Sequence, residues 1–272
     1  MPIEFQDATW HALAREAAMA GRLIGSGLES LRRADNSAPA VYYEAFFGLT
    51  IGLERTCKLA IVAGDYMAHG VFPTDAELKK KYGHDLIRLV AEIRARIADG
   101  RLTSHWSVPE GPEADDLVSF LTDFAKFNRY YNLSLLSGGI GANDTEPIRT
   151  WVDLVLRYHP QPPLKPSELK NIEAMADIDR KIGHNFMFMQ TDERENRISD
   201  FAAGATHHLT TEHVRKEGTM MGVRLARALA LSLHSLSYAG NSQGDVLPVF
   251  IEFFGILYNE DNYLKTRKRF NS

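Results

Sequence analysis

Residues 46–61 read Phe46-Phe47-Gly48-Leu49-Thr50-Ile51-Gly52-Leu53-Glu54-Arg55-Thr56-Cys57-Lys58-Leu59-Ala60-Ile61. Phe46, Leu49, Leu53, Cys57, Ala60 and Ile61 recur at steps of three or four, the period that puts apolar side chains on one face of a helix. The same period runs through Trp10, Leu13, Ala17, Ala20, Ile24, Leu28 and Leu31 upstream. Two long helices are therefore expected at the start of the chain, the second running to about Tyr66. Asn36 and Ser37 are expected to supply its capping residue, with Pro39 in the first turn.

The pattern continues downstream. Gly70, Phe72 and Pro73 break the second helix, and Thr74-Asp75-Ala76-Glu77 is a capping box that opens a short helix stopping at Gly83. Leu86, Leu89, Val90, Ile93 and Ile97 mark another helix, ended by Gly100 in a left-handed cap. After a loose stretch from Arg101 to Asp115, the residues Leu117, Phe120, Phe124, Phe127, Tyr131 and Leu135 predict one aromatic helix up to Gly138 and Gly139. Trp151, Leu154 and Val155 belong to one more short helix. His159 to Pro166 holds four prolines in eight residues, which cannot continue a helix, and the main boundary is placed there. Beyond it, helices are expected from Ser167 to about Met187, Thr211 to about Ala239, and Pro248 to about Arg269. No strand alternation or fixed-period repeat is visible, so the fold class is all-α: a multi-helix bundle over 1–158 and a helical region over 166–272 packed on it.

Composition narrows the function classes. The chain has 272 residues, 44% hydrophobic and 24% charged, which is enough for a substantial core. With a single cysteine, Cys57, no intramolecular disulfide can form, and a reducing, cytoplasmic setting is the simpler expectation. The start, Met-Pro-Ile-Glu-Phe-Gln-Asp, lacks the basic-then-apolar pattern of a secretory signal. Glu54, Arg55, Lys58 and Asp65 interrupt the apolar runs well before the roughly 20 residues a bilayer span needs, so no membrane contact is expected. A net charge of −4 provides no global cationic field, and RNA binding would need a local patch. Lys79, Lys80 and Lys81, and the terminal Lys265, Arg267, Lys268 and Arg269, read as solvated faces or such patches. Phosphate-binding glycine loops, nucleophile elbows and cysteine clusters are absent, which sets aside dehydrogenases, P-loop enzymes and common serine hydrolases and calls for no cofactor.

Three groups of residues are candidates for chemistry. Arg180 and His184, with three residues between them, share one helical face; the histidine can take a proton from a ribose hydroxyl while the arginine holds the phosphate. His84 and Asp85 stand at a helix start, where aspartate accepts from free amides and histidine caps or packs. Arg129, in an aromatic setting, either stacks on Tyr130 or pairs with a carboxylate, or else points into a groove and holds a phosphate. His207, His208 and His213, with Glu212, match no common zinc spacing, and His207 and His208 read as a loop leading into a helix, with no metal site.

The segment from Ala45 to Leu89 resembles the HEPN superfamily of helical domains found in prokaryotic toxin and antitoxin, anti-phage and RNA-processing proteins. Gly52-Leu53-Glu54-Arg55-Thr56-Cys57-Lys58-Leu59 looks like the glutamate-and-lysine helix of such domains, and Gly83-His84-Asp85-Leu86 like their glycine-histidine-aspartate-leucine turn. Phe127-Asn128-Arg129-Tyr130-Tyr131-Asn132 falls where the last long helix would lie. The resemblance implies a HEPN-like bundle in the first half, pairing as a homodimer, with RNA, a nucleotide or a protein as partner. It also implies His84, Asp85, Asn128 and Asn132 as binding residues. Active members carry an arginine followed by about four to six residues and then a histidine; after Arg129 no histidine follows at that spacing, and Arg180 and His184, with three residues between them, are one residue short of it. Two readings stand: a non-catalytic binding module in a defence or stress system, or a metal-independent endoribonuclease in which His184 is the base, Arg180 holds the phosphate and Arg129 assists.

Overall fold

The structure, a computed structural model, describes residues 2–104, 106–139, 145–182, 190–244 and 246–270. The chain is all-α: among the described residues the one β-type feature is an isolated bridge between Thr191 and Arg197. Helices α1 (Ala8–Arg33) and α2 (Pro39–His69) form a tight antiparallel pair, with Gly27 against Ala45 and Leu49, and Gly52 against Ala20 and Ile24. The approach is close because the contact positions have no side chain. A methyl group at Gly48 would come within 2.9 Å of the Leu23 carbonyl oxygen and 3.0 Å of Gly27 Cα.

Next come α3 (Asp75–Lys81), α4 (Leu86–Ala98), α5 (Pro112–Lys126), α6 (Tyr131–Leu136), α7 (Pro147–Tyr158), α8 (Pro166–Ile182), α9 (Phe201–Gln243) and α10 (Asp261–Thr266). The Thr74 box is closed, with Glu77 N donating to Thr74 Oγ1 at 3.3 Å and Thr74 N to Glu77 Oε2 at 2.8 Å. Gly100 is left-handed at φ 79°. The core is continuous across the proline-rich segment. Phe46 on α2 meets Phe120 on α5 at 4.9 Å and Trp151 on α7 at 5.6 Å, while Met220, Leu225 and Leu229 of α9 join the same buried cluster.

Four local expectations are corrected. The residue capping α2 is Ala38, without a side-chain bond, because Ser37 is turned onto Asp35 (N to Oδ1 2.9 Å) and Asn36 reaches across to Thr191. The aromatic helix is not continuous. It stops at Lys126, makes a 3-10 turn over Asn128–Tyr130 and resumes as α6, because buried Asn128 clasps Thr145 with both ends of its amide at 3.1 Å. Helix α9 begins at Phe201 rather than Thr211, started by Asp200, which accepts from Ala203 N at 2.7 Å, and by Asp179 of α8, which accepts from Phe201 N at 3.2 Å. His207 and His208 are thus inside a helix. The C-terminal helix is instead a 3-10 helix, Phe250–Tyr258, followed by α10, and the start of the former is anchored where Phe250 N meets Ser237 Oγ at 3.3 Å. No helix among the described residues is long and apolar enough to cross a membrane.

A candidate ligand cleft between α2, α4 and α5

With Gly48 and Gly52 turned to α1, the residues Phe47, Thr50, Ile51, Glu54, Arg55 and Lys58 fall on another face of α2 at the same helical spacing. This face lines a cleft of about 370 Å³, closed by Glu16 of α1, His84 ahead of α4, and Phe124, Ala125 and Arg129 around the end of α5. Its floor is apolar: Phe124 is fully buried and meets Phe47 edge-to-face at 5.0 Å.

Charges around the cleft are mostly matched. Arg55 Nη1 donates to both oxygens of Glu16, at 2.6 and 2.7 Å. Glu54, 9% exposed, accepts from Lys58 Nζ at 2.7 Å and from His84 Nδ1 at 3.0 Å. A carboxylate can only accept, so His84 donates to it through Nδ1, and the His84 side chain is 77% exposed. Arg129 is the exception. It makes no ion pair with the described residues, and its guanidinium lies over the Tyr130 ring at 5.0 Å. The alternatives raised by the sequence thus resolve into both stacking and a place in the groove.

The other candidates do structural work or lie elsewhere. Asp85 caps α4, accepting from Arg88 N at 3.1 Å, and takes Lys126 Nζ at 2.6 Å. Burial alone would raise its carboxyl, but these hydrogen bonds and the neighbouring Lys126 and Arg88 charges outweigh that and hold it below the usual carboxylate value. Asn128 is the buried clasp described above. Asn132 donates to the Tyr43 hydroxyl at 3.1 Å, and burial together with Glu146 pushes that phenol up to about 12. Arg180 sits exposed on α8, paired with Asp177, and does not line the cleft that holds Arg129. His184 lies outside the described residues.

His207 approaches buried Glu193 at 3.5 Å, and with His208 it lines a separate cleft that includes Asp35 and Arg215. His213 Nε2 donates to the His159 carbonyl at 2.8 Å. No group of three or more metal-ligating side chains occurs among the described residues. The basic runs are partly tied down, Lys81 to Glu92 at 3.2 Å and Lys265 to Glu217 at 3.8 Å. Sequence reasoning passed over Glu16, Phe47, Thr50 and Phe124 as cleft residues; the signal for those on α2 was the mixed face at the spacing of 47, 50, 51, 54, 55 and 58, apolar at Phe47 and Ile51 and polar at the rest. Compared with protein-family models, with curated proteins and with solved structures, the chain matches none of them significantly.

Proposed function

We propose that the protein is a non-catalytic helical binding module, HEPN-like in its first half, that grips a nucleotide or single-stranded RNA at the α2–α4–α5 cleft in a prokaryotic defence or stress system. The observation that carries this reading is Arg129, an exposed cation with no carboxylate partner among the described residues, set against an aromatic ring at the rim of an apolar cleft. A guanidinium that no protein carboxylate neutralises is free to bind phosphate, and rings beside it offer faces for bases. Tyr130 and Phe127, 56% and 43% exposed, are such rings. The non-catalytic form is favoured because Arg180 stands outside this cleft, and cleavage needs base and phosphate-holder around one scissile group. Leu133 and Leu136, 64% and 84% exposed just after Arg129, support a further protein partner, a second copy of the chain, which light scattering would read as a dimer.

The test is fluorescence anisotropy with labelled single-stranded RNA. Arg129→Gln is expected to weaken binding and flatten its salt dependence, and Arg180→Ala and His184→Ala to leave RNA uncut, as wild type does. Unchanged affinity in Arg129→Gln would overturn the reading. A second reading, a metal-independent endoribonuclease in the cytoplasm, has one observation in its favour: His84, held by Glu54 through Nδ1, lines the same cleft as Arg129. In that case His84, not His184, takes the 2′-hydroxyl proton, and cleavage persists in His184→Ala but not in His84→Ala.

A further inference from the structure

The deepest polar group in the cleft is the Thr50 hydroxyl. Thr50 is 3% exposed, lines the cleft, and its Oγ1 is buried with no hydrogen-bond partner. Buried threonines such as Thr56 and Thr122 return the hydroxyl to the carbonyl four residues back, Thr56 to Gly52 at 2.8 Å and Thr122 to Val118 at 2.8 Å, and buried Thr211 bonds Glu193 instead, at 3.4 Å. Buried polar groups are nearly always satisfied, so an exception beside a cavity marks a place for a ligand atom. The surroundings grade from this group outward. Phe124 is fully buried, Phe47 and Ile51 are 39% and 40% exposed, and Arg129, without an ion pair among the described residues, is at the rim.

We infer that the cleft takes the base of a single ribonucleotide, with a polar atom of the base edge on the Thr50 hydroxyl, the ring against Phe47 and Ile51, and the phosphate at Arg129. This rests on the nucleotide-binding reading above and narrows it. An acyl chain with a carboxylate would fill the apolar floor but offer the Thr50 hydroxyl no partner, so it would gain nothing from that group. A bare phosphate would meet Arg129 and leave both the rings and Thr50 unused. The volume of about 370 Å³ is near the lower end for small-molecule pockets and suits one ring system with its sugar.

The test is titration calorimetry of the full chain with AMP, GMP, CMP and UMP, and with ribose 5-phosphate, sodium phosphate and sodium decanoate as comparison arms. At least one nucleotide is expected to bind at least about tenfold more tightly than ribose 5-phosphate or phosphate, from stacking and the added hydrogen bond. Thr50→Val is expected to weaken that nucleotide by about three- to tenfold, the worth of one neutral hydrogen bond, and to leave ribose 5-phosphate unchanged. Thr50→Ser, which keeps the hydroxyl, is expected to bind close to wild type, and melting curves on both variants check the fold. Arg129→Gln is expected to weaken the nucleotide and ribose 5-phosphate alike. Equal nucleotide affinity in wild type and a folded Thr50→Val, or decanoate binding more tightly than every nucleotide, overturns the base assignment. If RNA binding still falls in Arg129→Gln, the binding reading survives that result; if neither RNA nor any nucleotide binds, both fall.

Discussion

Replacing Gly48 by alanine tests how the cleft is built. Gly48 sits where α2 crosses α1, and a methyl there would lie 2.9 Å from Leu23 O and 3.0 Å from both Gly27 Cα and Gly27 N. These are backbone atoms of a 26-residue helix, so no side chain can swing aside; the helices must part. Overpacking of this kind costs roughly 1–3 kcal/mol, toward the upper end when the obstacle is main chain. Alanine returns about 1 kcal/mol through its greater helix propensity. The expected net loss is about 2 kcal/mol. Gly204→Ala is the matched control, because on α9 its methyl would meet only Ile198 Cγ2, at 3.8 Å, and the propensity gain of roughly 0.5–1 kcal/mol should appear undiminished. Urea unfolding of both variants, followed by far-ultraviolet circular dichroism, should place their midpoints on opposite sides of wild type. Parting the helices should also loosen the Glu16 to Arg55 pair that spans them at the cleft wall. A Gly48→Ala protein as stable as Gly204→Ala would refute the claim that the two backbones touch.

Asp85→Asn keeps a competent helix cap but removes the charge that Lys126 and Arg88 face. The folded carboxyl is held below its unfolded value, so its charge stabilises fully above the ordinary carboxylate pKa and the benefit is lost as pH falls through the folded value. The melting-temperature gap between wild type and Asp85→Asn should therefore hold above the ordinary carboxylate range and narrow as pH falls from about 5 through the lowered folded value; a constant gap would rule this out. Arg96, 4% exposed, bridges Asp65 at 2.7 Å and Glu92 at 2.8 Å, and Arg96→Met should destabilise by about 3 kcal/mol by stranding partly buried carboxylates, read as a lowered urea midpoint. Cys57 is fully buried, and burial pushes its thiol well above the ordinary range, so a thiol reagent should label the protein only on unfolding; rapid labelling of native protein would contradict its place in the core.

What was legible in the sequence was set locally. The stripes of α1, α2 and α4, the Thr74–Glu77 box, the Asp85 cap and the Gly100 stop each depend on residues within a turn or two, and each forms. Where a partner distant in sequence decides, the local pattern misleads. The stripe through Phe124, Phe127 and Tyr131 gives no sign of the break that Asn128 makes by bonding to Thr145, and the start of α9 is hidden because half its cap, Asp179, lies on α8. The C-terminal run Phe250–Tyr258 is almost entirely apolar, so its pattern, read as an α-helix, does not tell a 3-10 helix from an α-helix.

The cleft divides along the same line. Glu54, Lys58 and His84 stand in segments singled out from sequence, and Lys58 lies one helical turn after Glu54. Glu16, 39 residues before the arginine it pairs with, could not be read as their neighbour. Thr50 is the sharper case. A threonine among apolar helical positions is ordinarily content with its own helix, as Thr56, Thr122 and Thr219 are, and nothing in the surrounding letters separates Thr50 from them. The difference is that its hydroxyl has no hydrogen-bond partner among the described residues, in a cleft whose walls come from α1, α2, α5 and the residues beside α4 and α5. A group whose role is defined by what it leaves unbonded is invisible to any reading of local pattern, and for the same reason it is the position where replacing one atom should separate ligand recognition from stability.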